Sequence, residues 1–192
     1  MIIGIIPAVK EKFKNQLELS IELKLLSFIK NLHPKSKIKI LYEKKKEKFD
    51  YLIISGGNDL IKHKSDLRNV TRNKLNNFYH KIASTKKIPI LGICHGAHFL
   101  ANKHGALFKK SKKHIGSHQI LFFNKKKRIV LSHHNYVISR LSSNFKILAL
   151  AKDGTIEFFK LKNKKIYGVI WHPERQKKTS KFEKNLFKKI CI

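Results

Sequence analysis

The stretch ILGICHGAHFL, residues 90–100, decides the fold. It opens on an apolar run over 89–93 that reads as a buried strand. It passes into a helical run over 97–103, with Gly105 beyond it as a stop. Between the two stands Gly92-Ile93-Cys94-His95-Gly96. Glycine two residues to either side of a nucleophilic side chain is the pattern of a sharp strand-to-helix elbow, where larger residues would collide. The turn lifts the Cys94 sulfur clear of the chain. It also sets the sulfur at a helix N-terminus, where the dipole and the free N–H groups favour thiolate. The His95 N–H would point at a developing oxyanion. A buried structural cysteine in a Gly-bounded turn fits the same letters, so the rest of the chain must choose.

Toward the N-terminus, strands and helices alternate. Residues 2–6, 38–41 and 51–55 read as short strands. Residues 16–29 carry Leu19, Leu23 and Leu26 at helical spacing, and 67–84 read as a second long helix. This alternation predicts an α/β domain with a central, mostly parallel sheet and helices on both faces. Toward the C-terminus the pattern changes to successive strands over 117–123, 128–132, 146–151, 155–161 and 165–171, with Asp-Gly and Asn-Lys turns between some of them. A closing helix covers 182–190. No internal repeat or linker interrupts residues 1–192, which read as one domain of 192 residues.

Two further segments carry candidate chemistry. In GVIWHPE, residues 168–174, an apolar strand ends in His172-Pro173-Glu174, and Pro173 keeps the backbone extended. Side chains two apart in extended chain point to one side. Glu174 can therefore hold the far nitrogen of the His172 ring and leave the near one for the Cys94 proton. In IISGGND, residues 53–59, a buried strand ends in Ser55-Gly56-Gly57, and glycine there permits close backbone approach to the nucleophile. Gly57 is the candidate second oxyanion donor, although a plain turn would also use Gly-Gly.

Composition sets the outer limits. Hydrophobic residues make up 42%, enough for a folded globule. No apolar run reaches the length of a membrane span. Two cysteines, Cys94 and Cys191, are too few for a disulfide scaffold, so a reducing cytoplasm is expected, with Cys191 as terminal packing. Lys and Arg number 43 against 12 Asp and Glu, a net charge of +31. The lysines are scattered, and no helix-turn-helix, RNA-recognition or zinc-finger spacing accompanies them. A solvated Lys-rich surface that favours anionic ligands therefore fits better than a nucleic-acid-binding module, because charge alone carries no sequence readout.

Taken in order, Gly4-Ile5-Ile6, SGG, GICHG, Ser132-His133-His134-Asn135 and WHPE resemble the class I glutamine amidotransferase superfamily, and within it the γ-glutamyl hydrolase branch. The resemblance covers nearly the whole chain. It implies a flavodoxin-like three-layer domain with a strand-rich second half. It implies Cys94 as nucleophile, His172 as base then acid, Glu174 as its orienter, and Gly57 and His95 as backbone donors to the oxyanion. By the same resemblance Gly56, His98, Ser132 and His133 contact the glutamyl group, and Glu157 in TIEFF matches an acidic position of open role. No cofactor and no metal are implied.

Two departures bear on the substrate. His98 stands where many glutaminases have Gln. The chain also shows no synthase domain, so ammonia freed from glutamine would need a partner synthase to receive it. The net charge favours an anionic leaving group. In size and motifs the chain is similar to hydrolases of bacterial capsule modification that act on γ-glutamyl-CDP-amidate. The alternatives are a glutaminase component serving a synthase and, outside enzymes, a basic nucleic-acid-binding module. His33, His63, His80, His104, His114 and His118 sit singly among polar residues and read as separate surface histidines. The His133-His134 pair lacks a carboxylate nearby in sequence and reads as part of the binding loop.

Overall fold

The computed structural model of the protein describes residues 1–176 and 180–190. Cys191, expected as terminal packing, lies outside the described residues. Among the described residues, thirteen strands and four α-helices follow in chain order: β1 (Ile2–Ile6), β2 (Ala8–Phe13), β3 (Gln16–Ser20), α1 (Leu23–Leu32), β4 (Lys37–Ile40), β5 (Tyr51–Ile54), α2 (Leu67–Thr85), β6 (Ile90–Ile93), α3 (His95–Asn102), β7 (Leu107–Lys110), β8 (Ile115–Phe122), β9 (Lys127–His133), β10 (Tyr136–Arg140), β11 (Phe145–Ala151), β12 (Ile156–Leu161), β13 (Ile166–Val169) and α4 (Lys181–Ile190). A short 3-10 turn, Pro173–Arg175, follows β13.

The main sheet runs β4-β1-β5-β6-β13-β12-β11-β8-β9, with β10 and β7 paired at one side. Its first five strands are parallel neighbours. Counted among themselves in chain order they stand 2-1-3-4-5, the flavodoxin-like arrangement, whose ligand crevice lies at the carboxyl ends of the strands. The loops after β5, β6 and β13 all leave from those ends, and they carry SGGND, the elbow and WHPE. From β12 onward the sheet turns antiparallel, which is the strand-rich half.

Strand periodicity builds two cores. In β5, Leu52 and Ile54 join α2 and α3 through Leu75, Tyr79, Ala97 and Leu100. Tyr51 and Ile53 face the other way, toward Leu25, Phe28 and Ile29 of α1 and Phe187 of α4. The sheet is thus the middle of three layers. Among the described residues no helix is long and apolar enough to cross a membrane.

One expected element fails. Residues 16–29 do not form one helix: α1 begins at Leu23, and Gln16–Ser20 is a strand. Leu17 and Leu19 alternate with Gln16, Glu18 and Ser20, a period of two that lies hidden within the helical spacing of the leucines. β3 pairs antiparallel with β2, Val9 against Leu19 and Phe13 against Gln16. The Lys14-Asn15 turn between them holds Asn15 at φ 64, and the Asn15 N–H donates to Glu11 Oε1. Strands β2, β7 and β10 are additional to the expected set. Each is short and carries charged residues, which weakens the sequence signal.

Candidate active site

The elbow is built as its glycines require. A Cβ on Gly92 would lie 2.5 Å from the Gly96 carbonyl carbon, and one on Gly96 would lie 2.0 Å from the Ile54 oxygen. The turn can close against β5 only because both side chains are absent. Cys94 sits at its apex with φ 49 and ψ −103, a left-handed conformation that a non-glycine residue adopts at a cost of about 1–3 kcal/mol when its surroundings hold it there. Its own N–H donates to the Val169 carbonyl at 2.8 Å, and its carbonyl accepts from His98 N–H at 3.0 Å.

β13 brings in the imidazole. His172 is buried, and its backbone N–H donates to the Leu131 carbonyl of β9 at 2.9 Å. Its Nδ1–H donates to Glu174 Oε1 at 2.7 Å, which leaves Nε2 for the neighbouring Cys94 sulfur. Burial alone would depress the imidazole. The adjacent sulfur and the Glu174 carboxylate more than offset it and push the pKa up to about 10. The ring therefore stays positive at neutral pH. Gly56 lies against the pair, since a Cβ there would meet His172 Cε1 at 2.8 Å and Cys94 Cβ at 3.4 Å.

The loop after β5 is tied down by amides. Gly57 has φ 108. Asn58 accepts from Val9 N–H and donates back to the Val9 carbonyl, both at 2.9 Å, so the β2–β3 hairpin is fastened to the loop. The Asn69 Oδ1 on α2 accepts from Asn58 Nδ2 and from Asp59 N–H. The His95 Nδ1–H donates to the Asn58 carbonyl at 2.8 Å, and its Nε2 accepts from Asn76 Nδ2 at 3.0 Å. Both ring nitrogens are thus assigned. Burial holds this ring well below the usual histidine range, hence neutral.

A cleft of about 290 Å³ lies over these groups, and Gly57, Cys94, His95, His98, His133 and His172 all line it. Ser132 is buried beside them with an unpartnered hydroxyl, and neither it nor Gly56 is part of the lining. His98 is driven down to about 3, first by burial and then by the neighbouring His134. Its Nε2 has no partner, so it offers a hydrogen bond and not a charge. Lys10, Arg68 and Arg175 also reach the lining, against Asp59. Arg175 is clamped to Glu22 through Nε at 2.9 Å and through a second contact from its Nη2.

Several of these participants were not legible in the sequence: Asn58, the hairpin residues Val9 and Lys10, Arg175, and a histidine cluster. His114 is not a surface histidine. It is buried, with Nδ1 at 2.9 Å from Glu157 Oε1 and Nε2 at 3.0 Å from Asp153 Oδ2. Burial opposes its charge, but the two carboxylates prevail and raise its pKa. His118 Nε2 lies 3.3 Å from the same Glu157 oxygen. His63 stacks on Tyr136, with ring centroids 3.7 Å apart, and both line the cleft. His134 also lines it and has a carboxylate close by after all, because Glu157 belongs to its cluster. Sequence spacing hides these contacts, which are made by strand register.

The chain as a whole is similar to known proteins. The model of the glutamine amidotransferase class-I family matches residues 13–191. A gamma-glutamyl-CDP-amidate hydrolase of Campylobacter jejuni subsp. jejuni is 40% identical over 125 residues, covering 65% of this chain and 62% of that protein. A glutamine-hydrolyzing GMP synthase subunit of Methanococcus aeolicus is 30% identical over 133 residues, 64% of this chain and 63% of its own. The chain thus spans just under two thirds of the length of these two curated relatives. Among solved structures, a protein described as a candidate GMP synthase subunit from Thermoplasma acidophilum superposes with TM-score 0.73 at 21% identity, over 100% of this chain and 94% of that one.

Proposed function

This chain belongs to the class-I glutamine amidotransferase family, and from that premise we propose that it is a cysteine hydrolase cleaving a γ-glutamyl amide bond. The observation that carries the reading is the array of sulfur, imidazole and carboxylate: Cys94 on a strained elbow, beside a His172 ring whose Nδ1 is held by Glu174. The Cys94 sulfur attacks the γ-carbonyl carbon and forms a C–S bond. Backbone N–H groups of Gly57 and His95 take the oxyanion. His172 Nε2 gives its proton to the departing nitrogen as the C–N bond breaks, leaving a glutamyl thioester. The neutral ring then removes a proton from water, which attacks the thioester and frees glutamate; the sulfur leaves as thiolate, the form in which it attacked, and the imidazolium is restored.

The glutamyl group fits the scale of a cleft of about 290 Å³. His98 and His133, which line the cleft, are its proposed direct contacts, with His98 acting as a neutral hydrogen-bonding group and with Gly56 and Ser132 shaping the wall behind them. A larger leaving group must then lie across the mouth, where Lys10, Arg68 and Arg175 stand. That favours an anionic conjugate. The curated relative from Campylobacter jejuni, named for γ-glutamyl-CDP-amidate, supports a substrate of that class, and with it a place in capsule polysaccharide formation. A mechanism that depends on a free thiol suits a reducing cytoplasm.

A second reading has its own support. The GMP synthase relatives favour a glutaminase component that passes ammonia to a partner synthase. Activity with purified protein separates the two. Cys94→Ala should lose glutamate release from a γ-glutamyl conjugate while keeping its circular dichroism and melting temperature. Normal turnover by that variant would remove the nucleophile. A wild-type chain that prefers glutamine, or needs an added synthase to react, would favour the second reading.

A further inference from the structure

The main sheet gathers a second set of polar side chains that the hydrolytic mechanism does not use. β8 and β9 pair antiparallel, and their terminal pair is Ile115 against His133. The next residues outward, His114 and His134, therefore leave the hairpin side by side, although 20 positions separate them in the chain. Glu157, near the start of β12, faces them. All three are buried, and one ligand atom from each lies within 4.8 Å of the other two.

The hydrogen bonds around the group point inward. His134 Nδ1–H donates to the Tyr136 carbonyl at 2.9 Å, which fixes the tautomer and leaves Nε2 with its lone pair. That Nε2 is buried and has no partner. Glu157 Oε2 is likewise buried without a partner. His114 has its Nε2 held by Asp153 at 3.0 Å, which turns Nδ1 toward Glu157. A carboxylate or carbonyl on the outer ring nitrogen, with the inner nitrogen free, is how metal-bound histidines are oriented. Two imidazole nitrogens and one carboxylate oxygen are a donor set that suits zinc and its first-row neighbours. A hydrogen-bonded network with no ligand would leave two buried acceptors, His134 Nε2 and Glu157 Oε2, desolvated and unsatisfied.

We propose that His114, His134 and Glu157 form a binding site for a divalent cation of the zinc type. The ligands are His114 Nδ1, His134 Nε2 and a Glu157 oxygen, with Asp153 and the Tyr136 carbonyl behind them. Closing on an ion at about 2.0–2.2 Å from each ligand asks these atoms to draw together by an ångström or so. The proton between His114 and Glu157 leaves to solvent as the ion takes its place. A fourth position remains for water or for His118, whose Nε2 lies 3.3 Å from Glu157. The ion would pin the ends of the β8–β9 hairpin to β12. It would thereby set the cleft wall made by His134 and Tyr136. This goes beyond the hydrolytic reading and does not depend on it.

Zinc also binds thiols, so the test uses the full chain with both cysteines replaced, Cys94→Ala with Cys191→Ala. After dialysis against a chelator, Zn²⁺ is titrated in competition with a chromophoric indicator. The expected result is one tight equivalent and a zinc-dependent rise in melting temperature. In the same background His134→Gln and Glu157→Gln should each weaken binding at least about 10-fold and abolish the thermal shift, with folding checked by circular dichroism. Should either variant misfold, a crystal of the zinc-loaded parent measured at the zinc edge should place an anomalous peak among the three side chains. No bound equivalent, unchanged affinity in the folded variants, or a peak elsewhere overturns the proposal.

Discussion

The charge on His172 follows from its two neighbours, the Cys94 sulfur and Glu174, which outweigh the burial that would neutralise it. An unfolded histidine loses its proton near 6.5, whereas this one holds it to about 10. The pair therefore favours the folded state fully below 6.5, and that contribution fades as pH climbs toward 10. In the proposed mechanism the same proton goes to the leaving nitrogen. Glu174→Gln keeps a hydrogen bond but removes a charge. It should lower kcat/KM by about 10²–10⁴, as loss of a triad carboxylate does elsewhere. It should also move the alkaline limb of the pH–rate profile to lower pH, because the ring gives up its proton sooner. His172→Ala should cost at least as much and leave no such limb. A Glu174→Gln profile that overlays the wild type, limb included, would remove the orienting role.

At the scale of elements, the site depends on how closely the elbow between β6 and α3 can approach β5. The Gly96 Cβ position meets a backbone oxygen at 2.0 Å, which belongs to a central strand and cannot step aside. Gly96→Ala should thus destabilise by more than about 3 kcal/mol in urea unfolding, beyond ordinary overpacking. Gly105→Ala is the contrast. Gly105 has φ 76, with nothing within 4 Å of its Cβ position, so only the left-handed backbone penalty of about 1–2 kcal/mol applies. Equal losses at the two glycines would mean that the elbow does not rest on β5. Local steric demands of this kind are written into sequence, which is why Gly92, Gly96 and the β5–β6–β13 core could be read from it. The β2–β3 hairpin could not. Its Leu17 and Leu19 suit period two as well as a helix, and only pairing with Val9 decides between them. The His114–Glu157 contact was equally hidden, because 43 residues and two strand pairings separate its members.

The whole molecule carries 43 basic against 12 acidic residues, a net +31, and most of that charge lies far from the chemistry. Isolated surface charges more than a Debye length away, about 10 Å at 0.1 M salt, are largely screened. Their sum still raises the encounter rate of anions, by about 10-fold or more at low ionic strength. The cleft adds a local part, since Lys10, Arg68 and Arg175 line it against Asp59. These cations are not equally available: Glu22 clamps Arg175, and Arg68 pairs with Asp66. Lys10, on the hairpin fastened by Asn58, is the one best placed to meet a phosphate. For γ-glutamyl-CDP-amidate, kcat/KM should fall by about 5-fold or more between roughly 0.02 and 0.5 M salt, because both long-range attraction and mouth contacts are screened. A neutral γ-glutamyl anilide needs neither, and its kcat/KM should change by less than about 2-fold over the same range. Lys10→Ala should shrink the salt dependence for the anionic conjugate by raising KM at low salt, with kcat little altered, since binding and not chemistry is lost. Parallel salt curves for the two substrates would show that the positive charge of this chain does not select its leaving group.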